Sequence, residues 1–329
     1  MTTLPCGPVA AIAIGRNEGA RLIRCLESLR GADLAPLIYV DSGSTDGSVA
    51  AARALGVEVV ALDMSRPFTA ARARNAGLAR LREIAPEVAF VQLLDGDCEL
   101  QPGWVSAALA RFESDPQLAV VCGRRRERFP QASIYNAQCD REWDRPAGET
   151  TECGGDALMR VAALDQVGGY DPRLIAGEEP EMCLRLRKAG WKIWRLGAEM
   201  TLHDAAMLRF SQFWKRARRG GHAFAEGAHL HGGAPWRHYV QPTRRALIWG
   251  LFLPLGILVA AAVVSPWALL LALLYPLQIL RMARRGGFSA AAWQEAWLLT
   301  VGKFPEALGV AEFHLRRLSG RRAGLIEYK

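Results

Sequence analysis

The sequence predicts an α/β protein built on a mostly parallel sheet, and three observations support this prediction. Short apolar segments alternate with amphipathic segments along residues 9–122. The apolar segments are continuous runs, which is typical of strands that helices cover on both faces. Polar and acidic residues follow several of these runs, at the edge of the sheet where such folds bind their ligands.

Each segment is assigned from the spacing of its apolar residues. Five continuous, β-capable runs are predicted strands, at residues 9–14, 37–40, 57–61, 88–94 and 119–122. Four segments with apolar residues on one helical face are predicted helices, at residues 18–30, 48–55, 69–84 and 104–112. In the first helix, for example, Leu22, Leu26 and Leu29 recur on one side. The alternation of strands with helices favours parallel pairing.

Candidate ligand-binding residues follow the first, second and fourth strands. In chain order they are Arg16, Asn17, Glu18, Asp41, Asp95 and Asp97. A turn or helix-cap role explains Asp46 and is the alternative for Asp41. It does not explain Asp95 and Asp97, because two carboxylates that point at one spot repel each other unless a cation lies between them. Hard oxygen ligands at this position predict Mg²⁺ or Mn²⁺.

The positive charge of the chain is concentrated in its last third. The formal net charge is +8, but residues 1–208 carry 24 Lys/Arg against 28 Asp/Glu, whereas residues 209–329 carry 17 against 5. The basic excess therefore lies outside the α/β region, and we do not expect nucleic acid as a partner.

An uncharged run at residues 246–280 has arginines at both ends. Residues 246–264 nearly reach the roughly 20 apolar residues of a spanning helix. Ser265 and Pro266 predict a turn, and residues 267–280 are short for a second span. We interpret the run as a membrane hairpin or a re-entrant pair, with both flanks in the cytoplasm and lipid phosphates near the arginines. A buried helical hairpin of a soluble protein is the alternative.

The N-terminus and the cysteines indicate the compartment of the catalytic region. Residues 1–19 have no basic segment before the first apolar run, so no signal peptide is predicted. The seven cysteines are odd in number and form no C-x-x-C pair, which argues against a zinc knuckle or a disulfide framework. We expect reduced cysteines that mostly serve packing, and a catalytic region in the cytosol.

The order of motifs resembles that of the family 2 glycosyltransferases. The first four motifs are IAIGRNEGARLIRCLESL, the Asp-x-x-Ser-x-Asp loop YVDSGSTDGS, the Ala-Arg-Asn-x-Gly helix ARARNAGL and the Asp-x-Asp element LLDGDCEL. Two later stretches, CGGDALMRVAALDQVGGYDP and GEEPEMCLRLRKAGWKI, are similar to the acceptor-side and Glu-Asp motifs of that family. The resemblance covers residues 8–205. It implies the GT-A fold, a nucleotide-sugar donor and inversion of the anomeric centre.

On the donor side, the resemblance implies a role for each matched residue. Asp41 would read the base or ribose, and Arg74 would lie near the nucleotide or its phosphates. Asp95 would approach the ribose and the metal ion, and Asp97 would bind the metal ion. Gly96 would let the backbone approach the diphosphate. A solvated helix arginine is the alternative for Arg74.

The resemblance assigns Gly154, Gly155 and Asp156 to the acceptor side of the site. The reaction also needs a base for the acceptor hydroxyl. Pro180 suits the first turn of a helix, so we expect Glu179 at or beside the N-cap and predict it as the base, although the family usually has Asp there. Glu178 and Asp156 are the alternatives. Donor and metal affinity should not depend on Glu179, because the donor residues are expected at a different edge of the site.

His203 follows the strand-like segment WKIWRL and matches a position where several GT-A enzymes supply a further metal ligand. A structural histidine is the alternative. The expected domains are a GT-A nucleotide-sugar transferase domain at 1–208, a basic juxtamembrane segment at 209–245, a membrane hairpin at 246–282 and basic amphipathic helices at 283–329.

We therefore expect a metal-dependent inverting glycosyltransferase that moves a sugar from a nucleotide-diphosphate sugar to a hydroxyl acceptor. The expected acceptor is a lipid-linked or polysaccharide precursor at the cytoplasmic face of the membrane. A non-catalytic membrane-bound adaptor that binds sugar nucleotides or lipids is one alternative. Such an adaptor would not need the candidate acids, and their presence argues against it. A nucleotidylyltransferase is the other, but the chain lacks the Gly-rich, basic loop that such enzymes have after the first strand.

Overall fold

A computed structural model of the chain describes residues 9–320, which form two compact units. The first unit ends at Ala206 and the second begins at Met207, two residues before the expected boundary at residue 208. Cys6 and the end of the basic tail, residues 321–329, lie outside the described residues.

The first unit is a nine-stranded sheet flanked by helices. Its strands are β1 (Val9–Gly15), β2 (Leu37–Asp41), β3 (Glu58–Ala61), β4 (Phe90–Asp95), β5 (Cys98–Leu100), β6 (Leu118–Glu127), β7 (Gly148–Glu149), β8 (Ala157–Arg160) and β9 (Lys192–His203). Its helices are α1 (Ala20–Arg30), α2 (Ser48–Ala54), α3 (Ala70–Ile84), α4 (Trp104–Ser114), α5 (Ile134–Trp143), α6 (Val161–Val167) and α7 (Glu178–Lys188), with a 3-10 turn at Pro130–Ala132. The strand order is β3-β2-β1-β4-β8-β6-β9-β5, and β7 pairs with β9.

The sheet is mixed, and its first half is parallel. Strands β3, β2, β1 and β4 pair in parallel, as do β6 and β9. Strand β8 runs antiparallel to its neighbours β4 and β6. Strands β1 and β4 are buried almost throughout, which is why their sequences are continuous apolar runs. The predicted α/β class is confirmed.

All nine elements predicted within residues 9–122 are present. The largest difference is in β6, which continues to Glu127 although its apolar run ends at Cys122, because three arginines after Cys122 stay paired with β9. The strands β5, β7 and β8 were not predicted, since they are only 3, 2 and 4 residues long. The six cysteines of the described chain are buried and unbridged.

Helix α3 packs closely on the sheet through Gly77. A Cβ atom at this position would lie 2.5 Å from Cγ2 of Ile12 and 3.1 Å from Cγ2 of Val40, so a larger residue would push the helix away. Arg74, one turn earlier, lies on the same buried side of the helix as Leu78. The close packing of α3 on the sheet at Gly77 therefore keeps Arg74 buried.

The second unit is built from helices over its described residues. They are α8 (Phe210–His231), α9 (Val240–Leu247), α10 (Leu253–Val263), α11 (Leu274–Arg285), α12 (Ala290–Val301) and α13 (Lys303–Leu318). Helices α8 and α13 cross at glycines: a Cβ atom on Gly221 would overlap the carbonyl oxygen of Glu306, and one on Gly309 would overlap that of Arg218. Much of the expected juxtamembrane segment 209–245 is thus a helix packed on the C-terminal helix.

Two apolar helices of this unit, Val240–Val263 and Pro266–Arg285, are long and apolar enough to cross a membrane. A π-helical segment, Ile248–Phe252, joins α9 to α10 in the first, and a 3-10 segment, Pro266–Leu273, precedes α11 in the second. In the most apolar 18-residue stretch of each helix, only 11% of the first and 6% of the second are buried. This differs from the buried hairpin of a soluble protein, where most of such a stretch would be covered.

The second apolar helix is longer than the segment 267–280 suggested. It continues to Arg285, and its 3-10 segment rises about 2.0 Å per residue, compared with about 1.5 Å in an α-helix. The chain turns at Ser265 between the two helices, and the hydroxyl of Tyr275 in the second donates to the carbonyl oxygen of Trp249 in the first at 2.6 Å. Residues on both sides of the turn therefore meet, as in an antiparallel pair. Ser265 at the turn between them caps the 3-10 segment.

Candidate active site

The carboxyl ends of β1, β2 and β4 lie side by side. Gly15 is opposite Asp41, and Ile14 is opposite Asp95. The N–H of Gly96 donates to the carbonyl oxygen of Ile14 at 2.8 Å, which fixes the turn after β4 against the end of β1. The structure thus brings Asp41 and Asp95 to one edge of the sheet.

The loop after β2 folds around Asp41. Its Oδ2 atom accepts the N–H groups of Gly43 at 3.0 Å and Ser44 at 2.9 Å, and its Oδ1 atom accepts the hydroxyl of Tyr39 at 3.0 Å. Asp41 is 6% exposed. Asp41 therefore acts in part as a turn residue, which was the alternative to a ligand-binding role. Its hydrogen bonds within the turn also fix the direction of the carboxylate.

Asn17 ties the loop after β1 to the loop after β2. Its N–H donates to Oγ of Ser44 at 2.9 Å, and its Oδ1 atom accepts the N–H of Thr45 at 2.7 Å. Asn17 has a left-handed backbone with φ of 56°, which Asn tolerates better than most residues. Asp46 serves as a turn residue, as predicted, by accepting the N–H of Ser48 at 2.9 Å.

Arg16 and Glu18, the other predicted donor residues of the first loop, have partners within the chain. The guanidinium of Arg16 lies 4.7 Å from the ring centroid of Phe68, and Glu18 pairs with Arg21 at 2.8 Å. At Gly96, a Cβ atom would lie 3.2 Å from the carbonyl oxygen of Ile14 and 3.3 Å from Cγ of Glu18. Gly96 thus permits a close approach within the protein, and its role toward a diphosphate stays a prediction.

Arg74 is the centre of a buried ion cluster. Its side chain is 2% exposed; Nη1 lies 2.9 Å from Oε1 of Glu178 and 2.7 Å from Oε1 of Glu179, and Nη2 lies 2.8 Å from Oδ1 of Asp95. The alternative of a solvated arginine is therefore wrong. The premise that Glu179 and the donor residues lie at different edges of the site is wrong, because one guanidinium contacts both Asp95 and Glu179; the effect of Glu179 on donor affinity stays a prediction.

Arg125 is the second cation of the cluster, with 14% of its side chain exposed, and it was not predicted from the sequence. Its Nη2 atom lies 3.1 Å from Oδ2 of Asp95 and 2.8 Å from Oδ1 of Asp156. Its guanidinium also lies 5.1 Å from the ring centroid of Trp143. Each oxygen of Asp95 is thus held by a different arginine, while its side chain stays 33% exposed.

Side-chain alternation along β6 is the signal that could have found Arg125. Of the three consecutive arginines, Arg124 pairs with Asp140 at 3.1 Å and Arg126 pairs with the exposed Glu199 at 2.7 Å. Arg125 lies between them and points to the other face, where it meets the acids of the site.

Gly154 and Gly155, expected on the acceptor side, lie at this ion cluster. Gly154 has a left-handed backbone with φ of 81°. A Cβ atom on Gly155 would lie 2.9 Å from Oδ2 of Asp95 and 3.1 Å from Nη2 of Arg74. A side chain at position 155 would therefore separate the arginine from the acid.

Asp156 holds the cluster together. Its Oδ2 atom accepts Nε–H of Arg125 at 2.8 Å and the hydroxyl of Thr201 at 2.7 Å, and its Oδ1 atom accepts the N–H of Asp95 at 3.2 Å. The side chain has no exposed surface. Both oxygens are therefore engaged and enclosed.

Helix α7 begins earlier than predicted. Gly177, with φ of 78°, is the N-cap, and Glu178 is the first helical residue. The expectation that Glu179 lies at or beside the N-cap is wrong, because Pro180 is the third helical residue and not the first. Both glutamates still lie in the first turn, where the helix dipole favours negative charge.

The cluster carries more negative than positive charge. Two guanidiniums face four carboxylates, which are those of Asp95, Asp156, Glu178 and Glu179. Burial, together with the neighbouring Glu178, raises the pKa of Glu179 to about 7, although Arg74 opposes this shift. Near neutral pH, Glu179 can therefore take up and release a proton, as a general base must.

His203 lies beside Asp97 at the end of β9. Strand β9 pairs with β5 and β6, which sets His203 opposite Cys98 on one side and Glu127 on the other. Its Nε2 atom is 3.5 Å from Oδ2 of Asp97. Asp97, Cys98 and His203 offer ligand atoms within 4.8 Å of one another, and a second such group joins Cys98 to Asp95 and Asp156.

Asp97 and His203 fit a divalent cation, whereas Cys98 does not. Burial raises the pKa of the Cys98 thiol well above its usual range, so the thiol stays protonated and is a poor ligand. Burial lowers the pKa of His203, so the imidazole is neutral near pH 7 and can bind a metal. One carboxylate and one imidazole leave positions for water and a diphosphate, as Mg²⁺ and Mn²⁺ require.

Residues 12–168 match the family described as "Glycosyl transferase family 2". A "Pre-mycofactocin glycosyltransferase" of Mycobacterium tuberculosis is 28% identical over 239 residues, which cover 67% of this chain and 48% of that protein. The "Succinoglycan biosynthesis protein ExoA" of Rhizobium meliloti is 27% identical over 212 residues, which cover 60% of this chain and 64% of that protein. The chain thus spans about half the length of the first relative and less than two thirds of the second.

A solved structure shares the fold. It is the mannosyltransferase PcManGT from Pyrobaculum calidifontis in complex with GDP-Man and Mn²⁺, with a TM-score of 0.64 and 19% sequence identity. The similarity covers 93% of this chain and 86% of that chain.

Replacing Arg74 by Met should destabilise the protein strongly, because three carboxylates would stay together without their cation. Removing one partner of a buried ion pair costs about 3–5 kcal/mol. Arg82→Met, on the same helix, is the matched control, since Arg82 forms an exposed pair with Asp165 and such pairs contribute about 0–1 kcal/mol. Urea denaturation of both variants and the wild type measures the free energies of unfolding.

The loss in Arg74→Met should be larger at pH 8 than at pH 5. Without the cation, burial raises the pKa of these carboxyls above their unfolded values, so the folded state binds more protons and loses stability as the pH rises. Equal losses in Arg74→Met and Arg82→Met, or a loss that is independent of pH, would contradict the ion cluster.

Proposed function

This chain is a family 2 glycosyltransferase, and from that premise we propose that it moves a sugar from a nucleotide-diphosphate sugar to a hydroxyl acceptor, with inversion at the anomeric carbon. The observation that carries the proposal is the meeting of Asp41, Asp95 and Asp97 at one edge of the sheet, next to His203. Membership of this family favours a transferase over both alternatives, the non-catalytic adaptor and the nucleotidylyltransferase.

The donor is assigned to the loops after β1, β2 and β4. The fixed carboxylate of Asp41 is suited to read a ribose or base, and the loop that Asn17 ties to it forms the other wall. Asp95 is accessible from solvent although two arginines hold it. The complex of PcManGT with GDP-Man and Mn²⁺ supports a nucleotide sugar as the donor class.

Asp97 and His203 would hold a divalent cation, Mn²⁺ or Mg²⁺. When bound, the cation neutralises the charge that develops on the departing nucleoside diphosphate. Arg74 is already surrounded by acids. We therefore assign it the positioning of Asp95 and Glu179 in place of a direct phosphate contact.

Glu179 is assigned as the base. Arg74 engages its Oε1 atom, so we assign the acceptor proton to Oε2. The acceptor oxygen then bonds to the anomeric carbon while the bond from that carbon to the diphosphate breaks on the opposite face. Glu178 is less accessible, with 5% of its side chain exposed compared with 14% for Glu179, and both oxygens of Asp156 are already engaged.

The acceptor is proposed to be a lipid-linked or polysaccharide precursor at the cytoplasmic face of the membrane. The name of the relative ExoA, a succinoglycan biosynthesis protein, supports a saccharide acceptor. The two apolar helices support a membrane location. They form an antiparallel hairpin with Arg244 and Arg245 in its first helix and Arg281, Arg284 and Arg285 in its second, which suits one cytoplasmic side with lipid phosphates as partners.

Metal-dependent turnover tests the proposed function directly. A panel of nucleotide sugars should contain one from which the wild-type protein releases nucleoside diphosphate only when Mn²⁺ or Mg²⁺ is present. Asp97→Ala should lose this release and the metal-dependent donor affinity with its fold intact, whereas Asp165→Ala, an exposed acid of the same unit, should keep both. Undiminished turnover of Asp97→Ala in the presence of a chelator would contradict the assignment.

Glu179→Gln should lower transfer by about 10²- to 10⁴-fold, the range typical of general-base loss. A base must be deprotonated to act, so the wild-type rate should rise with pH through about 7 and level off above it, and this rise should disappear in the variant. Donor affinity is measured in parallel, because Arg74 links Glu179 to Asp95.

The comparison with Glu178→Gln and Asp156→Asn identifies the base. Glu179→Asp should keep substantial transfer, because it keeps a carboxylate at the position. A pH profile that is unchanged in Glu179→Gln but lost in one of the other two variants would move the role of base to that residue.

The full-length protein should behave as an integral membrane protein. It should stay in the membrane fraction during extraction with sodium carbonate and need detergent to become monodisperse, because most of the apolar surface of the two helices is not covered by the chain. Protease should cut the first unit in inside-out vesicles and not in right-side-out vesicles. Monodisperse protein in buffer without detergent would contradict the membrane location.

A further inference from the structure

The two ring nitrogens of His203 face two different acids. Nε2 is 3.5 Å from Oδ2 of Asp97, and Nδ1 is 3.4 Å from Oε2 of Glu127. Strand register explains this arrangement, because Glu127 is directly opposite His203 where β6 pairs with β9. Trp143 contacts the ring edge-on, with the centroids 4.8 Å apart, so the ring has a defined orientation.

Glu127 is a buried acid, and both of its carboxylate oxygens accept hydrogen bonds. Its side chain has no exposed surface. Oε1 accepts the N–H of Phe129 at 3.2 Å and Nδ2–H of Asn136 at 3.2 Å, and Oε2 accepts the N–H of Ala205 at 3.0 Å. These partners are all donors, so they fit an ionised carboxylate.

The contact between Nδ1 of His203 and Oε2 of Glu127 has hydrogen-bond geometry, so Glu127 favours a proton on Nδ1, whereas Asp97, next to Nε2, is the acid that would share the cation. A neutral imidazole has one N–H and one lone pair. If the N–H is on Nδ1 and points at Glu127, the lone pair is on Nε2 and points toward Asp97. Nε2 is the nitrogen that the proposed cation needs, and a carboxylate behind a metal-binding histidine is a common way to fix its tautomer.

We propose that Glu127 is a positioning residue for the cation site, which sets the tautomer and orientation of His203 so that Nε2 binds the metal together with Asp97. This proposal rests on the cation site of the proposed function. It explains why a charged residue is buried at the end of β6, where its partners are backbone and amide N–H groups and the imidazole.

Glu127→Gln tests the proposal with little change in shape. The amide nitrogen is expected in place of Oε2, because Oε1 accepts two N–H groups and Oε2 accepts one besides the imidazole; Nδ1 would then become the acceptor and the proton would move to Nε2. Mn²⁺ affinity of the full-length protein in detergent, measured from the electron paramagnetic resonance signal of free Mn²⁺, should fall by about 10- to 100-fold. Glu199→Gln is the matched control, because Glu199 is an exposed acid on β9, and it should bind Mn²⁺ as the wild type does.

The tautomer is read separately, in protein without metal and labelled with ¹⁵N-histidine. Long-range ¹H–¹⁵N spectra, assigned with a His203→Gln variant, should show the Nδ1–H tautomer in the wild type and the Nε2–H tautomer in Glu127→Gln. An Nε2–H tautomer in the wild type would overturn the proposal even if the variant did not fold. Mn²⁺ affinity of Glu127→Gln within twofold of the wild type would overturn it as well.

Failure of the proposed function gives a different result. If Asp97→Ala binds Mn²⁺ as tightly as the wild type, the cation site itself is misassigned and the role of Glu127 falls with it. If Asp97→Ala loses Mn²⁺ and Glu127→Gln does not, the cation site stands and only the positioning role is wrong.

Discussion

The two ion pairs of Asp95, with the buried Arg74 and the partly buried Arg125, are the interactions on which the site depends. Arg74 comes from α3, which packs on the parallel half of the sheet, and Arg125 comes from β6 in the other half. Charges interact strongly where water is excluded, and a buried charge without its partner is costly. The two halves of the sheet are therefore fixed relative to each other at the point where the donor is proposed to bind.

Two glycines allow Arg74 to reach Asp95. Gly77 lets α3 come close enough for Arg74 to reach the sheet edge, and Gly155 leaves the space in which Arg74 and Asp95 meet. The same cluster has more acids than guanidiniums, and a nucleoside diphosphate would bring further negative charge. The divalent cation proposed at Asp97 and His203 would balance this excess of negative charge.

The sequence was sufficient to predict the elements up to residue 122 and the edge at which the acids meet. Continuous apolar runs mark strands that are covered on both faces, and the residues that follow them must lie at one edge when the strands are parallel. This reasoning placed Asp41 and Asp95 correctly at the edge. The two apolar helices were equally predictable, because an uncharged stretch of this length between arginines is uncommon in the core of a soluble protein.

The partners of these acids could not be predicted in the same way. Arg125 and Glu127 belong to the segment GRRRERF, which looks like a solvated charged stretch because nothing in its composition shows which side chains point inward. Side-chain alternation would place Arg125 and Glu127 on one face, but only once the pairing with β9 shows that β6 continues through this segment. The beginning of α7 was misplaced for a related reason: Gly177 provides the cap through its left-handed backbone, and Pro180 alone does not distinguish the first helical position from the third.

The sharing of one guanidinium among Asp95, Glu178 and Glu179 has a consequence for how the site can be dissected. Substitutions at groups with a common partner are not additive, because removing one acid changes the surroundings in which the others are measured. The loss seen for a single variant at this cluster is therefore not the share of that residue in binding or in catalysis. Double-mutant cycles with Arg74 as one corner would separate the interaction between two residues from the loss that each causes alone.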